Sequence, residues 1–355
     1  MIKSTLFISL GGCGAKLLNE LIDINPSING VFVNSNINEM RKLSHFDIES
    51  GNYLAINGKG TARQRQKSMA SLEKDKLKVM EFINNTVGNY NTYVLIFSCD
   101  GGFGSGSFPL FSKAIKNLNK RAGYDDIAVN IIGVFPKINS RKLNLQNTIE
   151  AYNDIVDLNT QGFINSYQFI NNDRMEDINE FNKSVMEEIN SCYNIENIEL
   201  DTNDSMAINN CSGYKVVLNL DYDSFDGELQ DAISYAQQTS NFLLPQNIGY
   251  ATHIGISFIE DEFDIYEALD SFNVSEFDKE DYNNENNIIL LGGCNPPIEA
   301  IKEYEEALLN ISNNPIKEQV YKSDITVKKK PVKKAETNKK QLTKNDLRDM
   351  LDDLW

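Results

Sequence analysis

Tyr93-Val94-Leu95-Ile96-Phe97-Ser98-Cys99-Asp100-Gly101-Gly102-Phe103-Gly104-Ser105-Gly106-Ser107 is the stretch on which the fold turns. Five unbroken apolar residues read as a strand buried on both faces, and a glycine-rich turn then leads into a helix. The design occurs a second time: Leu6-Phe7-Ile8-Ser9-Leu10 runs into Gly11-Gly12-Cys13-Gly14 and on to Ala15-Lys16-Leu17-Leu18. Glycine lacks a Cβ, so backbone can come close to a ligand. The helix that follows offers unpartnered N–H groups and the positive end of its dipole. Such a turn suits a phosphate chain. Two of them in one domain suggest a nucleotide held from two sides.

Neither loop carries Gly-Lys-Ser/Thr at its helix start, which excludes the Walker type of phosphate loop. The dinucleotide fingerprint fits poorly too. Gly12-Cys13-Gly14-Ala15-Lys16-Leu17 lacks the third glycine of G-x-G-x-x-G, and Gly30-Val31-Phe32-Val33 ends in Asn34-Ser35-Asn36 rather than a ribose-binding acid. A Rossmann-type oxidoreductase is therefore the disfavoured alternative. A nucleotide-binding module without turnover is another.

Working outward, apolar runs predict strands at 4–10, 30–34, 92–98 and 127–135, with helices at 13–22, 62–85 and 105–120. This alternation indicates a parallel sheet with helices on both faces and ligands outside the carboxyl ends of its strands. A strand near 166–170 and a helix near 175–193 follow. Strands at 214–221, 250–259 and 286–292 and a helix at 226–240 then suit a smaller α+β domain. The expected class is α/β, with a nucleotide-binding domain over 1–174, a central helix and connection over 175–200, a second domain over 201–312 and a flexible tail over 313–355.

The 355 residues carry a formal net charge of −17. From Lys317 to Trp355 there are eleven Lys/Arg and seven Asp/Glu, so the tail is net +4 and the rest is −21. An acidic body repels nucleic-acid phosphates at long range and does not favour an anionic membrane surface. It must hold an anionic nucleotide by backbone N–H groups, helix dipoles and Mg²⁺. Five cysteines without a Cys-x-x-Cys pair argue for a reducing compartment. Cys13 and Cys99 read as small residues beside the loops rather than nucleophiles. With no signal-peptide pattern and no run of transmembrane length, the expected location is the cytoplasm. Lys328 to Lys340 is a basic run with almost no apolar content, expected to be disordered. Beyond it, Leu347, Met350, Leu351 and Leu354 recur at helical spacing, marking a short amphipathic helix that reads as a docking peptide.

Gly-Gly-Phe-Gly-Ser-Gly over 101–106 resembles the hallmark Gly-Gly-Thr-Gly-Ser/Ala-Gly of the tubulin/FtsZ superfamily, with Phe103 where the family has Thr. Further resemblances follow in the family's order. Gly58-Lys59-Gly60-Thr61-Ala62-Arg63 stands where a third phosphate loop belongs. Phe169 to Arg174 resembles the stretch ending near the guanine, and Asp177 to Val185 the start of the central helix. Glu199-Leu200-Asp201-Thr202-Asn203-Asp204 resembles the loop that bears catalytic acids. The resemblance covers roughly residues 1–300. The chain length and lysine-rich tail look most like the plasmid- and phage-borne TubZ branch.

What the resemblance implies is specific. Gly11, Gly12, Cys13, Gly14 and Asp100, Gly101, Gly102, Phe103, Gly104, Ser105 and Gly106 would wrap the phosphates of GTP or GDP with Mg²⁺. Asn34, Ser35 and Asn36 join the nucleotide-binding set. Gly60, Thr61, Ala62 and Arg63 would lie by the γ-phosphate, and Asn172 and Asn182 would read the base. The acid that contacts ribose in FtsZ is absent from Lys137-Ile138-Asn139-Ser140-Arg141, so ribose contacts stay unassigned. Asp201 and Asp204 would act on the nucleotide of the adjacent subunit, making the protein a GTPase that assembles head to tail. A TubZ-like role implies DNA partition through a DNA-bound adaptor of TubR type held by the tail, with direct DNA contact confined to that basic tail. A phage tubulin positioning replicating DNA, or a division-ring protein, are the alternatives within the superfamily.

Overall fold

In the parallel half of the molecule, sequence alternation and burial coincide strand by strand. Every residue of β1 (Thr5–Leu10) and β5 (Ala128–Phe135) is buried. Leu6, Ile8 and Leu10 face one side of the sheet and Phe7 the other. The computed structural model describes residues 4–56, 60–193, 207–225, 228–259, 263–279 and 286–313.

The chain runs β1, α1 (Gly11–Ile24), β2 (Asn29–Asn34), α2 (Ile37–Met40), β3 (Tyr53–Ala55), α3 (Arg65–Lys74), α4 (Lys76–Asn84) and β4 (Thr92–Ser98). It continues through α5 (Phe103–Arg121), β5, α6 (Lys142–Thr160), β6 (Ser166–Asn171) and α7 (Ile178–Tyr193). Among the described residues the strand order is β3-β2-β1-β4-β5-β6 and then β7 (Gly213–Asn219), β10 (Ile288–Cys294), β8 (Tyr250–Ser257), β9 (Asn273–Lys279). Pairing is parallel from β3 through β7, antiparallel on both sides of β10, and parallel again between β8 and β9. One face is covered by α5 and α6 through Phe108, Phe111, Leu145 and Ile155. The other is covered by α1 and α7 through Leu17, Leu21, Val185 and Ile189. The result is an α/β/α sandwich.

The anticipated strands and helices of the first half are present within a few residues. One is corrected. A single helix over 62–85 is expected, yet two form, because Asp75 sits at φ −103°, ψ 16° between α3 and α4. Nor is 62–63 helical: Ala62 and Arg63 have φ of 49° and 60°, the left-handed region. α7 begins at Ile178 rather than 175 because the Asp177 carboxylate accepts from the N–H groups of Asn179 and Glu180. Beyond the anticipated elements the chain forms α2, β3, α6, β9, α10 (Ile265–Asp270) and α11 (Ile298–Asn313), and a one-turn α8 (Tyr222–Phe225) precedes α9 (Leu229–Thr239). The strands of the expected second domain continue the same sheet across the β6–β7 ladder. The tail helix lies outside the described residues. Among the described residues no helix is long and apolar enough to cross a membrane.

Candidate functional site

β1 lies between β2 and β4, so the chain leaves β1 towards one edge of the sheet and returns beyond it. Loops leaving the carboxyl ends of β1 and β4 therefore diverge and open a crevice, where an open α/β sheet binds its ligands. Both glycine-rich turns fall there. Leu10 precedes α1 and Gly102 precedes α5, and neither helix start has a side-chain cap. Their first N–H groups are left for whatever enters the crevice.

The two turns interlock. A Cβ on Gly104 would stand 2.5 Å from the Leu10 carbonyl oxygen, and one on Gly102 would stand 2.4 Å from Thr61 Oγ1. No other residue permits those approaches. The third loop closes the ring: Gly60 has φ 78°, and beyond Thr61 both Ala62 and Arg63 are again left-handed. Strain of this kind persists where neighbours enforce it and clusters at ligand sites. Here the enforcing group is Asn147 of α6, whose Nδ2 donates to the carbonyls of Arg63 (2.8 Å) and Asp100 (3.0 Å). Buried Arg65 adds an ion pair to half-exposed Asp154 of the same helix.

The enclosed space has two halves. The first, about 340 Å³, is lined by Gly11, Gly12 and Cys13, by Asn34, Ser35, Asn36 and Glu39, by Gly60 to Arg63, and by Asp100 to Gly104. The second, about 300 Å³, has apolar walls of Leu17, Val134, Ile170, Met175 and Ile178 with Lys16, Asn172 and Asn182 as its polar groups. Cys13, Arg63, Ser98 and Asp100 line both, so the halves are continuous. At the junction Arg63 Nη1 lies 2.8 Å from Asp100 Oδ2, and Ser98 Oγ bonds the other carboxylate oxygen.

Most of the anticipated nucleotide residues thus meet in one crevice. Gly14, Ser105 and Gly106 stand outside both halves. Gly14 lets α1 lie on β4, since its Cβ would be 2.0 Å from the Ile96 carbonyl oxygen. Gly106 does the same for α5 against Arg65, and Ser105 Oγ bonds the Gly101 carbonyl. Asp201 and Asp204 lie outside the described residues. Lys137 to Arg141 supplies no acid: Lys137 Nζ donates to the Met175 carbonyl, and the Ile138 N–H to Asp173. Burial, with Asp100 beside it, pushes the Cys99 thiol well above its ordinary range, so it stays protonated at neutral pH.

Three contributors escaped the sequence reading. Glu39 accepts from Asn34 Nδ2 (3.2 Å) and Asn36 Nδ2 (3.0 Å) and so orients both amides. Ser98 ends β4 at the junction. Asn147 has no local signal beyond a polar stripe with Glu150 and Asp154 along α6.

No family model matches the chain. A curated relative, the tubulin-like protein TubZ of a Clostridium botulinum C phage, is 22% identical over 197 residues, which is 55% of this chain and 52% of that protein. The chain therefore spans about half the length of the curated relative it matches. Among solved structures, tail-truncated TubZ of Clostridium botulinum phage c-st superposes with a TM-score of 0.77 at 20% identity, over 88% of this chain and 99% of that one. TubZ of Bacillus thuringiensis serovar israelensis, in a GTPγS-form protofilament, superposes with a TM-score of 0.67 at 13% identity, over 87% and 92%. The fold is theirs.

Proposed function

We propose, from the premise that this chain is a member of the tubulin/FtsZ superfamily, that it binds GTP in the crevice and assembles head to tail. On this reading it hydrolyses the nucleotide at subunit contacts. One observation carries it: two uncapped helix starts and a strained third loop surround a space that opens directly into an apolar pocket bearing Asn172 and Asn182. Strand order alone would not separate this from a dinucleotide site, because β3-β2-β1-β4-β5-β6 is shared with it. What favours a mononucleotide is the second glycine turn after β4, and Asn34 where a ribose acid would end β2.

The phosphates would take the α1 and α5 N–H groups, and loop 60–63 would meet the terminal phosphate. A carboxamide presents both a donor and an acceptor, which matches the guanine edge at N1–H, N2–H₂ and O6. Among the described residues no three His, Cys, Asp or Glu side chains converge as a metal cage. We therefore assign Mg²⁺ to the phosphates and water, with Glu39 and Asp100 as the carboxylates lining that half. When bound, the ion supplies charge neutralisation at the phosphates.

Hydrolysis needs a group to orient water, and we assign Asp201 and Asp204 of the adjacent subunit to it. Phosphoryl transfer depends chiefly on such positioning. A site completed by the next copy makes a heterologous contact, which propagates as an open filament. The related Bacillus thuringiensis protein forms protofilaments with GTPγS, which supports this reading. DNA partition through a tail-bound adaptor of TubR type is the biological role we propose. Light scattering and phosphate release with and without GTP test the core of it: both should rise together with GTP. Asp204→Ala should still scatter light with GTP but release phosphate on the order of a hundredfold more slowly. Parental phosphate release by that variant would remove Asp204 from the mechanism.

A further inference from the structure

Behind the apolar pocket, a segment from the second half of the chain reaches the carboxyl end of β6. It runs antiparallel to that strand, with the Asn171 N–H donating to the Asn241 carbonyl at 2.8 Å and the Leu243 N–H to the Phe169 carbonyl at 2.8 Å. Arg174 Nη2 donates to the Gln238 carbonyl. The turn that carries Asn172 is therefore held on both sides of that residue. The Asn241 side chain makes a second connection, to α7: its Nδ2 donates to Ser184 Oγ at 3.0 Å and to Glu188 Oε1. Asn182 stands on the same helix, two residues before Ser184. Asn241 itself lines neither half of the crevice.

One residue thus ties together the two elements that carry the pocket's amides, since Asn172 follows β6 and Asn182 rides on α7. Holding a carboxylate away from water costs free energy unless a donor meets it, and a bond to a charged acceptor is shorter and stronger than a neutral one. The Asn241 amide is the donor that meets Glu188. Two amides can read one planar base only if their separation is fixed, because hydrogen bonds weaken steeply with misalignment. We infer that Asn241 is a positioning residue for base recognition: by joining the end of β6 to α7 it sets the spacing of Asn172 and Asn182. This rests on the guanine-nucleotide site proposed above.

GDP and ADP share their phosphates and differ in the base, so the ratio of their affinities isolates base recognition. Both are measured on the full chain by competition against a fluorescent GDP at pH 8, where Glu188 is ionised. Asn241→Ala should weaken GDP about tenfold and ADP less than about twofold, the loss of one well-aligned hydrogen bond to the base. Asn241→Asp sets a second carboxylate against Glu188 and should lose at least as much selectivity. Adding Glu188→Gln to it supplies an amide donor again and should bring GDP back to within about threefold of the parent. Equal weakening of both nucleotides, unchanged GDP affinity, or no recovery in the double variant overturns the inference. Should Asn241→Ala not fold, Asn241→Ser keeps the backbone bonds with a side chain too short to span to Glu188, and is judged by the same ratio. A parent that holds ADP as well as GDP, or binds neither, sinks the proposed guanine site itself; a selective parent with an equally selective Asn241→Ala sinks only the positioning role.

Discussion

Gly12 and Gly14 sit two residues apart in one turn, and the structure gives them different work. A Cβ on Gly14 would meet the Ile96 backbone 2.0 Å away, and neither helix nor strand can yield. A Cβ on Gly12 would meet only the flexible end of Glu39, at 2.8 Å, and would project among the groups lining the phosphate half. Gly14→Ala should therefore lower unfolding stability by about 3 kcal/mol. Gly12→Ala should leave stability within about 0.5 kcal/mol of the parent yet weaken GTP binding by on the order of tenfold. Thermal melts with and without nucleotide, alongside a fluorescent-GTP titration, check both. A Gly14→Ala variant as stable as the parent would contradict the packing role given to that residue.

At the scale of elements, α6 and α7 both turn polar side chains to the loops and pocket of the site. α6 staples two loops through one Asn147 amide. α7 carries Glu188, which accepts from Asn241 Nδ2, while that amide also bonds Ser184 Oγ (3.0 Å). Burial pushes the Glu188 carboxyl up to about 7, with the Asn241 bond opposing the rise. An acid whose folded pKa exceeds its unfolded value keeps its proton in the fold after the open chain has lost it. Stability due to this group therefore falls as pH rises from about 4.5 to about 7. Above that range the full penalty applies, on the order of 3 kcal/mol. Glu188→Gln, whose amide oxygen can still accept from Asn241, should match the parent near pH 4.5 and exceed its stability increasingly up to pH 8. Denaturant unfolding at four pH values checks this, and a pH-independent difference would argue against a buried ionising carboxyl.

On the scale of the whole molecule, charge and polarity are separated. The crevice lies at the carboxyl ends of the strands, whereas buried Lys215 of β7, bonded to Tyr193 Oη and Asn209 Oδ1, lies near their amino ends. The acidic body and the basic run of 328–340 suggest separate tasks, assembly for one and docking for the other. Deleting residues 328–355 should leave GTP-dependent scattering and phosphate release near the parental rates and abolish binding to a DNA-bound adaptor. Lost assembly with adaptor binding retained would reverse that division of labour.

Some of this was written in the sequence. Long apolar runs fixed the parallel strands, because a strand covered on both faces must be apolar throughout. The spacing of Gly11 to Gly14 and Gly101 to Gly106 located the turns, because only glycine tolerates those approaches. β3 is three residues long, and the inward face of α6 interleaves Leu145, Ala151, Ile155 and Leu158 with buried Asn144, Asn147 and Thr148, so neither stood out by local pattern. What tertiary structure alone decided is that β1 and β4 are neighbours, that Asn147 from a remote helix bridges two loops, and that a lysine lies buried beneath α7. Each depends on contacts between residues far apart in the chain, which local propensity and periodicity do not encode.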